Sequence, residues 1–155
     1  MASITPQEVE AHQLWLQSEG TEGKQLDETG LDLSQSNLSG LNLSRGQFVG
    51  TVFDGADLSG SNLSGADFSG ATFTGANLTE ADLRGADLAG VTLSGANLTR
   101  AKVNGADLSG ARLDGCNLSQ ADFTDADLIA ANLTNAVQSG IILTGAKLND
   151  TQGLL

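Results

Sequence analysis

The sequence predicts an all-β solenoid, a chain wound into coils with flat sides and tight corners, carrying a short α-helical cap at its N-terminal end. Three observations predict it. Large apolar residues recur every five positions: of the 24 positions from Leu33 to Leu148, 22 hold Leu or Phe. A small residue, most often Ala, stands two places before each, as at Ala56, Ala66 and Ala71. Gly commonly closes the unit, which reads A-(D/N)-(L/F)-(S/T)-G, in a chain with 20 Gly, one Pro and no Tyr.

The period excludes the two standard templates. A helix needs apolar residues near every 3.6 positions and a simple strand every second one. If the Ala and the Leu or Phe both point inward, they sit two apart on a short extended segment. The Gly-containing junction then turns the chain, because Gly takes unusual backbone angles without steric cost. Stacked coils pair their backbones at the usual ~4.8 Å spacing, and each buries its apolar side chains against the next.

In chain order, residues 1–30 break the pattern and read as the cap. Thr5-Pro6-Gln7-Glu8 is a helix start: Thr5 as N-cap, Pro6 at the first helical position and Glu8 three after the cap. Ile4 and Val9 are spaced as a hydrophobic staple. The helix should run to about Ser18 and stop at Gly20, with Val9, Leu14, Trp15 and Leu16 over the first coil, where bare edges would otherwise be exposed. Residues 31–150 form the solenoid. Its 22 Leu and Phe supply on the order of 50 kcal/mol of gross burial at ~1.5–3 kcal/mol each, against the entropy of ordering the chain. Cys116 falls on an inward Ala position and reads as a small buried apolar residue. Gln138 is the one polar residue at a central position, and reads as a local imperfection near the end of the stack. Residues 151–155 form a tail too short for a covering helix. Ile129, Val137 and Ile142 are apolar at outward positions nearby and, with Leu154 and Leu155, make a candidate contact patch for a second copy or a partner. The alternative is that Leu154 and Leu155 fold back over the end.

The motif over residues 31–150 resembles the pentapeptide-repeat family. That resemblance implies a right-handed quadrilateral β-helix with four units per coil, hence about six coils standing roughly 29 Å tall at ~4.8 Å per coil. The segment His12-Gln13-Leu14-Trp15-Leu16, followed by Gly20, Gly23 and Leu26, resembles a leader before many bacterial, notably cyanobacterial, arrays of this kind, and implies capping.

Four units per coil would stack residues twenty apart on one face. Asp67, Asp87, Asp107 and Asp127 then form a carboxylate column ending at Lys147, a candidate interaction ladder. Neighbouring carboxylates ~5 Å apart repel by ~0.8 kcal/mol per pair in water, so the column gains the fold nothing and either attracts a basic partner or is a solvated wall. A second column alternates Asp82, Lys102 and Asp122 and should pair across rungs. A third, Asn37, Asp57, Asn77, Asn97 and Asn117, suits amide ladders.

The net charge of −12 argues against binding a nucleic-acid backbone or an anionic membrane. No stretch of 18 apolar residues offers a membrane span. No basic and apolar leader suggests secretion, and a lone Cys fits a reducing compartment, so the cytoplasm is the expected location. No metal, cofactor or catalytic constellation is expected. His12 is the only histidine, the Ser and Thr hydroxyls have no histidine base beside them, and Asp122, Asp125 and Asp127 should split between faces.

The function expected is a non-catalytic structural or protein-interaction scaffold, monomeric or an end-to-end homodimer, with an unidentified protein partner for which a basic surface would suit the acidic chain. The resemblance also implies an alternative, a DNA mimic that binds a type II topoisomerase and protects it from gyrase inhibitors. Residues 31–150 carry 13 acids and 6 bases. That is under half the charge of duplex DNA over the same length, at one charge per ~1.7 Å. An enzyme is the third and least supported class.

Overall fold

All 22 β-bridges in the computed structural model, which describes residues 2–155, are parallel and join residues twenty apart, from Asp27↔Gln47 to Asn132↔Gln152. Four five-residue units therefore make one turn of the coil. Face 1 carries the bridge residues Asp27, Gln47, Asp67, Asp87, Asp107, Asp127 and Lys147, and face 2 runs from Asp32 to Gln152. Face 3 runs from Asn37 to Val137 and face 4 from Asn42 to Ile142. Pairing is through single bridge residues and not through extended strands, because each side is only about three residues long between its corners.

Each corner is a turn closed by a backbone bond. On face 1, Thr51 N–H donates to Phe48 O (3.1 Å), and Gly50 between them has φ 65°. A left-handed third residue is what favours Gly here. The same corner angle is imposed on Glu80 (φ 58°), Arg100 (φ 56°) and Ala130 (φ 58°), so the fold sets the conformation and the sequence accommodates it. Between coils, Phe48 N–H donates to Asp67 O (2.8 Å) and Asp67 N–H to Gly46 O (3.0 Å), so pairing is continuous along each face.

Inside, the central Leu and Phe residues are fully buried from Leu43 to Leu133. The Phe residues of the early coils form a block: Phe48 stacks on Phe68 (5.1 Å) and Phe53 on Phe73 (4.8 Å), and Phe48 meets Phe53 edge to face (5.5 Å). Such pairs are worth ~0.5–1.5 kcal/mol beyond area burial. Gly46 replaces the usual inward Ala because a Cβ there would lie 2.6 Å from the Phe48 ring.

The five-residue geometry begins ahead of residue 31, inside the segment read as cap. Leu26 points inward and is buried, Gly30 turns the corner (φ 72°), and the central position between them holds Glu28, 4 % exposed.

The cap is one helix, α1 (Pro6–Gln17), with Thr5 as N-cap and a reciprocal capping box to Glu8. Glu8 Oε2 accepts from Thr5 N–H (2.7 Å), and Glu8 N–H donates to Thr5 Oγ1 (3.2 Å). Its docking differs from expectation. Leu14 is 42 % exposed, and the residue wholly buried against the first coil is His12. His12 Nδ1 accepts from Leu26 N–H (3.0 Å) and its Nε2 bonds Ser44 O (2.8 Å). Only the neutral ring protonated on Nε2 makes both bonds, so the imidazole ties helix and coil together through backbone groups. Trp15 stacks on His12 (5.6 Å) and Arg45 lies over the indole (4.9 Å).

Candidate functional site

The acidic column lies on one face in unbroken register: Asp67 bridges Asp87, Asp87 bridges Asp107, Asp107 bridges Asp127, and Asp127 bridges Lys147. Each carboxylate is held by its own turn. Ser69 N–H donates to Asp67 Oδ1 (2.9 Å), Ala89 N–H to Asp87 (3.1 Å), Ser109 N–H to Asp107 (2.9 Å) and Ile129 N–H to Asp127 (3.0 Å). Asn does the same elsewhere, as where Ser119 N–H donates to Asn117 Oδ1 (3.0 Å). The turn therefore asks for an acceptor and is indifferent to charge. One oxygen of each carboxylate serves the fold, and no hydrogen bond among the described residues engages the other. Lys147 Nζ approaches Asp127 Oδ2 at 3.6 Å, and no other basic residue stands in the column.

The same turn bond explains why the other two columns behave differently from expectation. Asp82 is paired within its own coil by Arg84 (2.6 Å), and no ion pair joins Lys102 to Asp82 or Asp122 among the described residues. The Arg84 side chain, bonded to Asp82, holds that carboxyl below its ordinary range, with Lys102 a lesser influence. In the Asn column the amide oxygens are taken by hydroxyls and N–H groups two residues on. A single cross-rung amide bond appears, from Asn77 Nδ2 to Asp57 Oδ1 (3.4 Å). Asp57 sits below the usual carboxylate range because the Ser59 hydroxyl and then its N–H bond it.

The faces are sorted by charge. Face 4 and its corners balance Asp82, Asp122 and Asp125 with Arg45, Arg84 and Lys102. Face 3 carries Asp57 and Glu80 against Arg100, which pairs with Glu80 (2.6 Å), and face 2 carries Asp32, Asp54 and Asp114 against Arg112. Face 1 carries Asp27, Asp67, Asp87, Asp107 and Asp127 against Lys147 alone. Beside the column run Ser69, Ala89 and Ser109, and its corners are Gly50, Gly70, Gly90 and Gly110. Between Val49 and Ile129, face 1 is therefore small-residued, and its carboxylates are uncompensated.

The apolar residues near the C-terminal end are not gathered on one face. Ile129 is half-buried on face 1 beside Asp127, whereas Val137 (48 % exposed) lies on face 3 and Ile142 (44 %) on face 4. Leu154 and Leu155 follow Gln152 on face 2, and Leu155 is wholly exposed. Gln138, the polar residue at a central position, ties this tail down: its Nε2 donates to Gly153 O (2.7 Å) and its Oε1 accepts from Leu155 N–H (3.3 Å).

At the other end, the capping residues Thr5, Pro6, Glu8 and Trp15 all belong to α1 or its N-cap. Sequence reasoning missed His12 as the residue that docks the helix and Glu28 as a core-position carboxyl. Stepping back five from Leu33 lands on Glu28, with Gly30 at the expected corner, but its charge hid the unit. Cys116 is buried, its Sγ lies 2.8 Å from Leu93 O, and burial pushes the thiol up to about 12. Among the described residues no three His, Cys, Asp or Glu side chains are grouped so as to hold a metal ion. No helix there is long and apolar enough to cross a membrane.

A four-sided coil with one residue type per lattice position defines a repeat solenoid. The comparisons agree: the family model for pentapeptide repeats matches in several overlapping stretches from residue 32 to residue 152, with 8 copies, and the chain belongs to the pentapeptide-repeat family. Proteins of this family form right-handed β-helices. The chain is similar to a pentapeptide repeat protein from the Arabidopsis thaliana thylakoid lumen, with 41 % identity over 65 % of this chain and 70 % of that one, at a TM-score of 0.63. It also resembles HetL, a pentapeptide repeat protein involved in heterocyst differentiation regulation in the cyanobacterium Nostoc (28 % identity, 90 % and 92 % covered, TM-score 0.39). QnrB1, a plasmid-mediated fluoroquinolone resistance protein, is similar at 23 % identity over 82 % and 72 % of the two chains, at a TM-score of 0.47. No curated protein matches the chain.

Proposed function

We propose that this protein is a non-catalytic interaction scaffold of about six coils, and that face 1 is the surface it presents to a basic protein partner. One observation carries the reading: the solenoid balances its charges on face 4 and leaves them unbalanced on face 1, although its turns would accept Asn in place of Asp. Carboxylates repeated once per ~4.8 Å coil give a rigid row that a partner's Lys and Arg side chains can match without ordering cost to this chain. The spacing also separates this reading from imitation of duplex DNA. The column carries about one charge where DNA over the same rise carries nearly three, at one per ~1.7 Å, and it occupies one side only.

The test is capture from cell extract at low and high salt, with the native protein beside a variant bearing Asp67, Asp87, Asp107 and Asp127→Asn. Because Asn supplies the same turn acceptor, the variant should fold unchanged by circular dichroism. The reading predicts a partner lost both in the variant and at high salt. Capture of the same proteins by both forms would refute it, and recovery of a type II topoisomerase through the Asp residues would favour DNA mimicry instead.

A further inference from the structure

Where α1 meets the first coil lies a cleft of about 180 Å³ lined by Gln7, Glu8 and Ala11 of the helix and by Lys24, Gln25, Leu26, Asp27 and Glu28 of the incoming chain. That is below the ~300 Å³ at which pockets begin to suit drug-sized ligands, and it matches a single side-chain-sized group. At its base, Glu28 occupies the position that holds Leu or Phe in the coils above it. The residue is 4 % exposed. Its backbone oxygen is engaged, accepting from Thr51 Oγ1 (2.8 Å) and Leu31 N–H (3.0 Å). No hydrogen bond or ion pair reaches its carboxylate among the described residues.

The carboxylate keeps contact with the cleft, since Thr72 Oγ1 is the one fully enclosed side-chain polar atom left unpartnered among the described residues. A carboxylate so largely desolvated and unpaired gains from a counter-charge or a proton. Lys24 offsets the charge only from a distance, and burial, Glu8 and Asp27 outweigh it. Glu8 and Asp27 line the same cleft, and Lys24, the only cation among the described residues that line it, is exposed and forms no ion pair within 4 Å with another of them. The other acids are already committed, Glu8 to the capping box and Asp27 to the Thr29 N–H (3.1 Å). The cleft is thus a concave, net-negative site, and Glu28 is its one carboxylate with neither oxygen engaged. Its acids do not converge as a metal requires. A planar cation that forks onto one carboxylate suits it better, with the rim amides of Gln7 and Gln25 beside it.

We propose that this cleft is a binding site for a guanidinium group, with Glu28 as its buried counter-ion. The group is either a free guanidino compound or an Arg side chain presented by a polypeptide. Agmatine serves as the free probe and acetyl-Gly-Arg-Gly-amide as the presented one, with acetyl-Gly-Gln-Gly-amide as control. Binding is read by calorimetry and by amide shifts at Leu26 and Asp27, with the Glu28 side-chain carboxyl followed by carbon NMR. A guanidinium probe should move the Glu28 carboxyl signal and lower its apparent pKa, which burial first and then Glu8 and Asp27 hold above the ordinary value. Glu28→Gln should weaken binding roughly tenfold or more, and Lys24→Met should strengthen it. Glu28→Leu, which restores the repeat consensus and guards against misfolding, should abolish it. Tighter binding of agmatine points to a free ligand, and tighter binding of the Arg peptide to a partner's side chain. Equal binding by Glu28→Gln and native protein, or no response of Glu28 to either probe, would overturn the assignment.

Discussion

Ala130 shows what one residue can cost in this lattice. It stands at a corner with φ 58°, where most coils place Gly. A left-handed L-residue costs roughly 1–2 kcal/mol, partly offset by the chain entropy that Ala saves over Gly. Ala130→Gly should therefore stabilise the protein by about 0.5–1 kcal/mol, read as a higher denaturation midpoint with an unchanged slope. Gly46→Ala should do the reverse, because the added methyl meets the Phe48 ring, and chemical denaturation would report the loss. Cys116 makes the third case. A buried thiol raised to about 12 offers almost no thiolate at neutral pH. It should react with a thiol reagent only in denaturant, and rapid labelling of the native protein would contradict its burial.

At the scale of an element, the cap depends on one titratable contact and one close approach. Burial holds the His12 imidazole below its ordinary pKa, aided by the Arg45 charge and opposed by the bond to Ser44. Undocked, the ring takes up its proton near pH 6.5, so its contribution to docking is complete above that value. It is lost as pH falls below 6.5 and through the lower folded pKa. Trp15 stacks on this ring and is the only tryptophan, so its fluorescence reports the cap alone. A fluorescence transition below pH 6.5, with the far-ultraviolet signal of the solenoid unchanged, is the expected outcome. Gly23→Ala should undock the helix at any pH, because the new Cβ would lie 2.3 Å from Ala11 O. How far this element could be read in advance follows from its physics. The capping box is local, so Thr5, Pro6 and Glu8 announced the helix start. The docking is not local: His12 meets Leu26 and Ser44, fourteen and thirty-two residues away, and no periodicity encodes that.

At the scale of the molecule, the solenoid was legible because its core is periodic. Every central Leu or Phe meets its neighbour one turn away, and the period alone exposes that contact. The column pairings were less legible. Charge alternation suggested that Asp82, Lys102 and Asp122 would pair along the face, but a turn bond two residues away outcompetes a rung twenty away. The four-residue Asn variant of face 1 tests the electrostatic side of this account. Removing repulsion between stacked carboxylates should raise stability at low ionic strength, with the gain shrinking as salt screens it. A gain independent of salt would point to some other cause.

Because every bridge spans twenty residues, position along this chain is also an angle around it, and each unit advances the surface by a quarter turn. Loss of residues 71–90 would remove one full turn and leave Asp107 stacked directly on Asp67. Loss of residues 71–75 alone would keep an equally good core but carry Asp87 around the corner to stand over Asn62, with Thr92 taking its place over Asp67. A lineage of such proteins can therefore change length by whole turns and keep its binding surface. A change by any other number of units shears the surface pattern around the axis while the fold remains intact.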